Sequence, residues 1–169
     1  MEKKAKMTRD TVPEDFTLSL ALVDALPVLL FGGSMLLIGA IFSRGLFLAG
    51  ALLCFWAGAA KVLWKIIVVL RKKNIWFLFL QMRIAMPAGF GLMLLSLLLN
   101  RDAVSFPGIL SALTTPPSAY LFAAGLFGMV LMGFFGAKLD ASDVRSNWIE
   151  QLTNAAAQGC IFAGLWLLL

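Results

Sequence analysis

The sequence predicts an all-α, polytopic transmembrane helical bundle of five spans in a single domain. Three observations predict it. Of the 169 residues, 61% are hydrophobic, several apolar runs reach the ~20 residues needed to cross the hydrocarbon of a bilayer, and the basic residues concentrate at the ends of those runs. The net charge of +5 therefore indicates membrane topology, and we expect no nucleic-acid partner.

Short polar connections separate the predicted spans. The spans cover residues 16–42, 46–70, 75–99, 118–139 and 148–169, after a polar cytoplasmic tail over residues 1–15. The tail mixes acidic and basic residues without a small-residue cleavage motif, so we expect the first helix to be retained.

The first two spans carry charged residues inside apolar sequence. The first holds Asp24 and Pro27, and the second holds Lys61 and Lys65, which are neighbours on one helix face because they are four residues apart. The second span is longer than a bilayer needs. The two lysines therefore either belong to a buried site or reach the inner headgroups by snorkelling.

The third span carries Gln81, Arg83 and Pro87. Pro87 cannot donate to the carbonyl four residues earlier, that of Arg83, so a free carbonyl lies beside a buried charge. After it, residues 106–113 predict a short interfacial helix. The fourth span is rich in glycine and methionine, which is typical of close helix packing.

The fifth span is the most polar of the five. Asn147, Glu150, Gln151, Asn154 and Gln158 recur every three or four residues and form a continuous stripe on one helix face. Such a stripe cannot face lipid cheaply. It either binds this helix to the bundle through interhelical hydrogen bonds or lines a cytoplasm-facing cavity, and these alternatives are compatible.

An internal repeat aligns residues 16–27 with 76–87 and extends into the helix that follows each segment. A duplication predicts two parallel helical hairpins plus one C-terminal helix, related by an axis along the membrane normal. Chance similarity between apolar segments is the alternative.

The distribution of basic residues predicts a cytoplasmic N-terminus and an external C-terminus in the cell inner membrane. The inner side then collects Lys3, Lys4, Lys6, Arg9, Arg71, Lys72, Lys73, Lys138 and Arg145. The outer side has only Arg44 and Arg101 in its loops.

The charged residues of the second and third spans predict an anion site. Lys61 and Arg83 lie at similar distances from the turn at residues 71–74, so two antiparallel helices should place them at one depth. Two cations at one depth need an anion, and Asp24 is the expected internal counter-ion of Arg83 or Lys61. The candidate ligand-binding residues are Lys61, Lys65, Arg83, Asp24, Gln81, Glu150, Gln151, Asn154 and Gln158.

The absence of histidine excludes histidine-ligated haem and metal sites and a histidine general base. The sequence also contains no phosphate-binding loop, nucleophile elbow or zinc-protease motif. We therefore expect no cofactor and no metal, and no enzymatic activity is supported.

These observations predict a small integral membrane protein whose cytoplasm-facing polar pocket binds an anionic group, a lipid phosphate or a small solute, in transport or lipid handling. Its expected partners are membrane lipids, including anionic ones, and either a second copy of the chain or a larger membrane assembly. One alternative is a non-catalytic structural subunit of a membrane complex, and a second is an intramembrane lipid-modifying enzyme.

Overall fold

The computed structural model describes residues 16–42, 44–139 and 143–168. The predicted tail over residues 1–15 lies outside the described residues, and so do its cations Lys3, Lys4, Lys6 and Arg9. Helices make up 87% of the structure, and no strand occurs in the described part of the chain. The all-α fold class is confirmed.

The helices follow the predicted order. They are α1 (Leu18–Ile41), α2 (Gly45–Arg71), α3 (Trp76–Leu80), α4 (Met82–Leu99), α5 (Phe106–Thr114), α6 (Ser118–Lys138) and α7 (Val144–Trp166), with one 3₁₀ turn at Arg101–Ala103. The helices α3 and α4 form one span that is interrupted at Gln81.

Four helices are long and apolar enough to cross a membrane: α1, α2, the α3–α4 pair and α6. The fifth predicted span, α7, has 23 residues and therefore the necessary length, but its polar stripe lowers its hydropathy. The protein is thus a multi-pass membrane protein by these four helices, and spanning by α7 stays a prediction.

Side chains and turns fix where the helices begin and end. The Thr17 hydroxyl accepts a hydrogen bond from the backbone of Leu20 at the start of α1, and the Asp143 carboxylate caps α7 in the same way through Ser146. The helix α2 ends where Lys72 adopts a left-handed conformation with φ of 49°. These caps satisfy backbone groups that the helix ends leave without partners.

The helix backbones pack in the spatial order α4, α2, α1, α7, α6, and α5 packs against α6. The consecutive antiparallel pairs in contact are therefore α1 with α2, α2 with α4, and α6 with α7. The repeat hypothesis paired α1 with α2 and α4 with α6. The α1–α2 hairpin is present, but α4 and α6 do not form the second hairpin in the described part of the chain, because they lie at opposite ends of the order.

Glycines allow the closest helix contacts. A Cβ atom at Gly50 would lie 2.5 Å from the carbonyl oxygen of Gly89, and one at Gly89 would lie 2.5 Å from Sγ of Cys54. The backbones of α2 and α4 therefore touch. Small residues at a helix crossing are the usual means of close packing inside a membrane.

The contacts of α7 place it beside α1 along most of its length. Gly33 lies against Phe162 and Gly159 lies against Leu30. The difference in residue number is the same for both pairs, so the two helices run parallel. The least apolar helix is thus covered by α1 on one side and by α6 on the other. In a bundle of five spans the first and fifth helices cross the membrane in the same direction, and the parallel orientation of α1 and α7 agrees with this.

Candidate functional site

A buried ion pair joins α1 to α2 in the half of the molecule that holds the α2–α3 turn. Nζ of Lys65 lies 2.8 Å from Oδ2 of Asp24, and the two side chains are 4% and 8% exposed. That oxygen accepts no hydrogen bond from another described residue. The pair is therefore sealed, and each charge depends on the other.

Aromatic side chains surround the pair. Nζ of Lys65 lies 5.7 Å from the centroid of the Phe16 ring, which packs edge-on against Trp64. The Trp64 indole nitrogen donates to Oδ1 of Asn74 at 3.0 Å, so the α2–α3 turn is tied to this cluster. Leu20 completes the apolar wall, with no exposed surface.

The expected counter-ion of Asp24 was Arg83 or Lys61, and the structure corrects this to Lys65. Lys65 follows Lys61 by one helical turn, and the sequence favoured headgroup snorkelling for it. Lys65 and Asp24 balance each other in charge, so this pair does not require an additional anion.

The expectation that Lys61 and Arg83 share a depth is also corrected. The Gln81 amide donates to the carbonyl of Ala57 at 2.9 Å, and Sγ of Cys54 donates to the carbonyl of Met86 at 3.6 Å. Arg83 therefore lies between the levels of Cys54 and Ala57, and Lys61 lies at least four residues, or ~6 Å, nearer the turn.

The physical reason is the conformation of the α2–α3 connection. Residues 72–75 are not helical, and an extended residue advances ~3.3 Å where a helical one advances ~1.5 Å. The connection therefore brings Asn74 back beside Trp64. Counting residues outward from the turn placed α4 at the wrong height.

Arg83 is exposed on α4, in the first half of the span Trp76–Leu99 but level with the middle of α2. Its Cζ lies 5.6 Å from the centroid of the Phe79 ring, and no described carboxylate forms an ion pair with it. An Arg at the centre of a membrane helix costs ~2.5–3.5 kcal/mol, and an exposed cation–π contact returns only ~0.5–1 kcal/mol. The structure leaves a membrane-embedded cation largely uncompensated.

The polar stripe of α7 turns partly inward. Asn147 and Gln151 are buried, whereas Glu150, Asn154 and Gln158 are half-buried. The Gln158 amide reaches Sδ of Met129 on α6 at 3.6 Å, a weak interhelical contact. Oε1 of Gln151 is buried without a hydrogen-bond partner. Both predicted roles of the stripe, interhelical contact and cavity lining, stay predictions.

No family model, curated protein or solved structure matches this chain. The functional interpretation therefore uses the geometry and chemistry of the described residues.

Two shallow grooves lie on the surface of the described helices. The first, which we name the turn groove, has a volume of about 540 Å³ and is lined by Asn74, Trp76, Phe77, Leu80, Gln81 and Ile84. The second, of about 450 Å³, lies where α5, α6 and α7 meet and includes Phe122, Leu126 and Ile161. Of the sequence-predicted site residues, only Gln81 lines either groove.

The sequence analysis did not identify the turn groove because the residues that line it do not differ in type from ordinary span and turn residues. Trp76, Phe77 and Leu80 are apolar, and such residues face either lipid or protein without a distinguishing pattern. The sequence feature that could have indicated the groove is the adjacent run of three cations, Arg71, Lys72 and Lys73. The sequence analysis interpreted this run only as a sign of membrane topology. All three are exposed.

The groups that coordinate metals are not assembled in the described part of the chain. No set of three His, Cys, Asp or Glu side chains there is placed to hold a metal ion. Cys54 is buried and Cys160 is half-buried, and both thiols are free. The chemistry that the structure offers is cation binding to an anion, aromatic packing and apolar contact.

Proposed function

We propose that this integral membrane protein handles lipid by binding an anionic phospholipid at the α2–α3 turn. The observation that carries the proposal is the position of Arg71, Lys72 and Lys73. These three exposed cations directly precede Asn74, the first residue of the turn groove. A phosphate at the cations and an acyl chain in the groove would occupy adjoining sites.

The electrostatic part of the proposal follows from the local charge. Each Lys or Arg near an anionic membrane surface contributes about 1 kcal/mol of attraction, so three contribute about 3 kcal/mol at moderate salt. Asp24 and Lys65 neutralise each other, so we assign the anion to the turn. Lys61 and Arg83 are not required for it.

The apolar part of the proposal favours a lipid over a free solute. The turn groove runs from Asn74 to Ile84, about ten residues, and its helical part from Trp76 onward rises ~12 Å along the membrane normal. Trp76 and Phe77 provide flat apolar surfaces beside that path. A phosphate-bearing solute without a chain would contact only the cations.

The cellular side also supports an anionic lipid. The predicted orientation places the α2–α3 turn on the cytoplasmic side, whose leaflet carries the anionic phospholipids. Both grooves include exposed apolar side chains of predicted spans, such as Phe77 and Leu126, which favours lipid handling over solute transport.

Native mass spectrometry of the detergent-solubilised protein, titrated with phosphatidylglycerol, tests the proposal. Replacing Arg71, Lys72 and Lys73 by Gln should weaken binding at least tenfold, because about 3 kcal/mol of attraction corresponds to ~150-fold before screening by salt. The matched control is Arg101→Gln, an exposed arginine on the predicted outer side, which should bind as the wild type does. Equal binding by all three proteins would refute the proposal.

A second variant separates a lipid from a free phosphate group. Leu80→Trp fills the turn groove without changing charge. It should weaken binding of phosphatidylglycerol and leave binding of glycerol phosphate unchanged. If both ligands bind the variant as they bind the wild type, the acyl chain does not use the groove.

A further inference from the structure

Arg83 differs from the other cations of this protein in its depth. It lies between the levels of Cys54 and Ala57, and the midpoint of α2 is close to residue 58. Contacts of Gly58 with Val28 and of Gly32 with Phe55 place the same level at the middle of α1. Arg83 therefore begins near the centre of the hydrocarbon layer.

The Arg83 side chain stays within that layer. Its guanidinium packs over Phe79, one turn nearer the α2–α3 turn, as expected because helical side chains point toward the helix N-terminus. This moves the charge only ~5 Å from the centre, and the hydrocarbon edge lies ~15 Å from the centre. A phosphate at the membrane surface remains about 10 Å away.

The next turn of α4 contains a proline. Pro87 lies inside the helix and has no N–H to donate to the carbonyl of Arg83. The Pro87 ring is exposed, as is Leu94, which lies on the same helix face as Arg83. We name Arg83, Pro87 and Leu94 the Arg83 face. It presents a cation and apolar surface at the edge of the helix order.

Among the residues that the structure describes, a second copy of this chain offers no carboxylate that completes the Arg83 face. Asp24 is already paired with Lys65. Glu150 lies nine residues before Gly159, which is level with Leu30, so it is about 14 Å from the depth of Arg83. A symmetric dimer with its axis along the membrane normal keeps every residue at its own depth, so Glu150 of the copy would not meet Arg83.

The geometry points to a transmembrane helix of a different protein, carrying Asp or Glu near its midpoint, as the partner of the Arg83 face. The carboxylate would pair with the guanidinium, and the low dielectric of the membrane strengthens that pair. The interaction is independent of the lipid proposed for the α2–α3 turn. It makes this chain a subunit of a heteromeric membrane assembly.

Synthetic transmembrane peptides test the partner chemistry directly. A 23-residue Leu/Ala peptide with Glu at its centre is compared with the same peptide carrying Gln there, in phosphatidylcholine vesicles that contain the full chain labelled on its N-terminal tail. Energy transfer reports association. We expect the Glu peptide to associate at least tenfold more tightly than the Gln peptide, in either insertion direction, because the centre is equivalent from both ends.

Three controls make the result specific. Moving the Glu nine residues from the centre, the depth of Glu150, should remove the preference. Arg83→Gln should remove it as well, whereas Arg83→Lys should retain part of it and Arg101→Gln all of it. If Arg83→Gln fails to fold, the inference is still tested by comparing how the wild-type chain binds the central-Glu and displaced-Glu peptides.

Two outcomes would overturn the inference. One is equal association of the wild type with the central Glu and Gln peptides. The other is loss of the Glu preference when phosphatidylglycerol replaces phosphatidylcholine, which would show that a lipid phosphate occupies Arg83. Loss of lipid binding at Arg71, Lys72 and Lys73 leaves the peptide result unaffected, so the two proposals fail separately.

Discussion

Removing one partner of the Asp24–Lys65 pair should destabilise the protein more than removing any other charge in the spans. Lys65→Met keeps an unbranched side chain of similar length and leaves the Asp24 carboxylate 8% exposed without its cation. Breaking a buried pair in this way costs ~3–5 kcal/mol. For a chain of this size that cost corresponds to a fall of roughly 6–20 °C in the thermal midpoint.

The double variant shows whether the loss comes from the pair. Replacing both residues by apolar side chains, Asp24→Leu with Lys65→Met, should recover stability to within ~1 kcal/mol of the wild type, because no buried charge is left alone. The matched control is Lys61→Met, one turn away and half-buried, which should cost less than ~1 kcal/mol. Thermal unfolding in detergent, followed by tryptophan emission, measures the wild type, the single variants Asp24→Leu, Lys65→Met and Lys61→Met, and the double variant, and Trp64 reports on the cluster itself.

The double-mutant cycle also separates a structural pair from independent sites. Coupling of at least ~2 kcal/mol between the two substitutions is expected for a sealed pair. Additive losses, or a Lys65→Met variant as stable as Lys61→Met, would refute the conclusion that these two charges depend on each other.

Four further predictions concern the helix contacts, the ends of α7 and the topology. Gly89→Ala places a Cβ 2.5 Å from Sγ of Cys54 and should lower stability by ~1–3 kcal/mol, whereas Gly91→Ala, with nothing within 4 Å, should change it by less than ~0.5 kcal/mol in thermal unfolding. Gln151→Leu should be neutral or stabilising in the same assay, because Oε1 is buried without a hydrogen bond. The side chain and backbone N–H of Ser146 donate hydrogen bonds to the Asp143 carboxylate and lower its pKa. The stabilisation of α7 by Asp143 is therefore complete above the unfolded pKa of ~3.9 and is lost as pH falls through the lowered value. Amide exchange at the start of α7 should rise at that pH, and Asp143→Asn should lack this pH dependence. Reporter fusions at the α2–α3 turn and at the C-terminus should lie on opposite sides of the membrane, and finding them on one side would exclude five spans.

The helices were predictable because hydropathy and length decide them. The expected second span at 46–70 became α2 over Gly45–Arg71, and the expected third span at 75–99 became Trp76–Leu99. The interfacial helix expected at 106–113 is α5. A continuous apolar run has few alternatives to a helix in a bilayer, because the backbone must satisfy its own hydrogen bonds there.

The site was not predictable in the same way because it depends on contacts between helices. A charge in a span requires a partner, and this rule identified Asp24 as a residue that forms an ion pair. Which of Lys61, Lys65 and Arg83 is its partner depended on the rotation and height of the helices. The few extended residues before Trp76 set that height. Sequence spacing therefore identified the residues that needed explanation, and only the structure could pair them.

The position of α1 between α2 and α7 has a consequence for biogenesis. The surface of α1 around Leu30 and Gly33 has no protein neighbour until the final helix of the chain has been synthesised. That final helix is also too polar to partition strongly into lipid by itself, because its stripe includes Asn147 and Gln151. Its insertion should depend on α1 and α6 being already in place. Ribosome-bound chains that stop before Val144 would then retain an accessible α1, and chains long enough to release α7 would cover it.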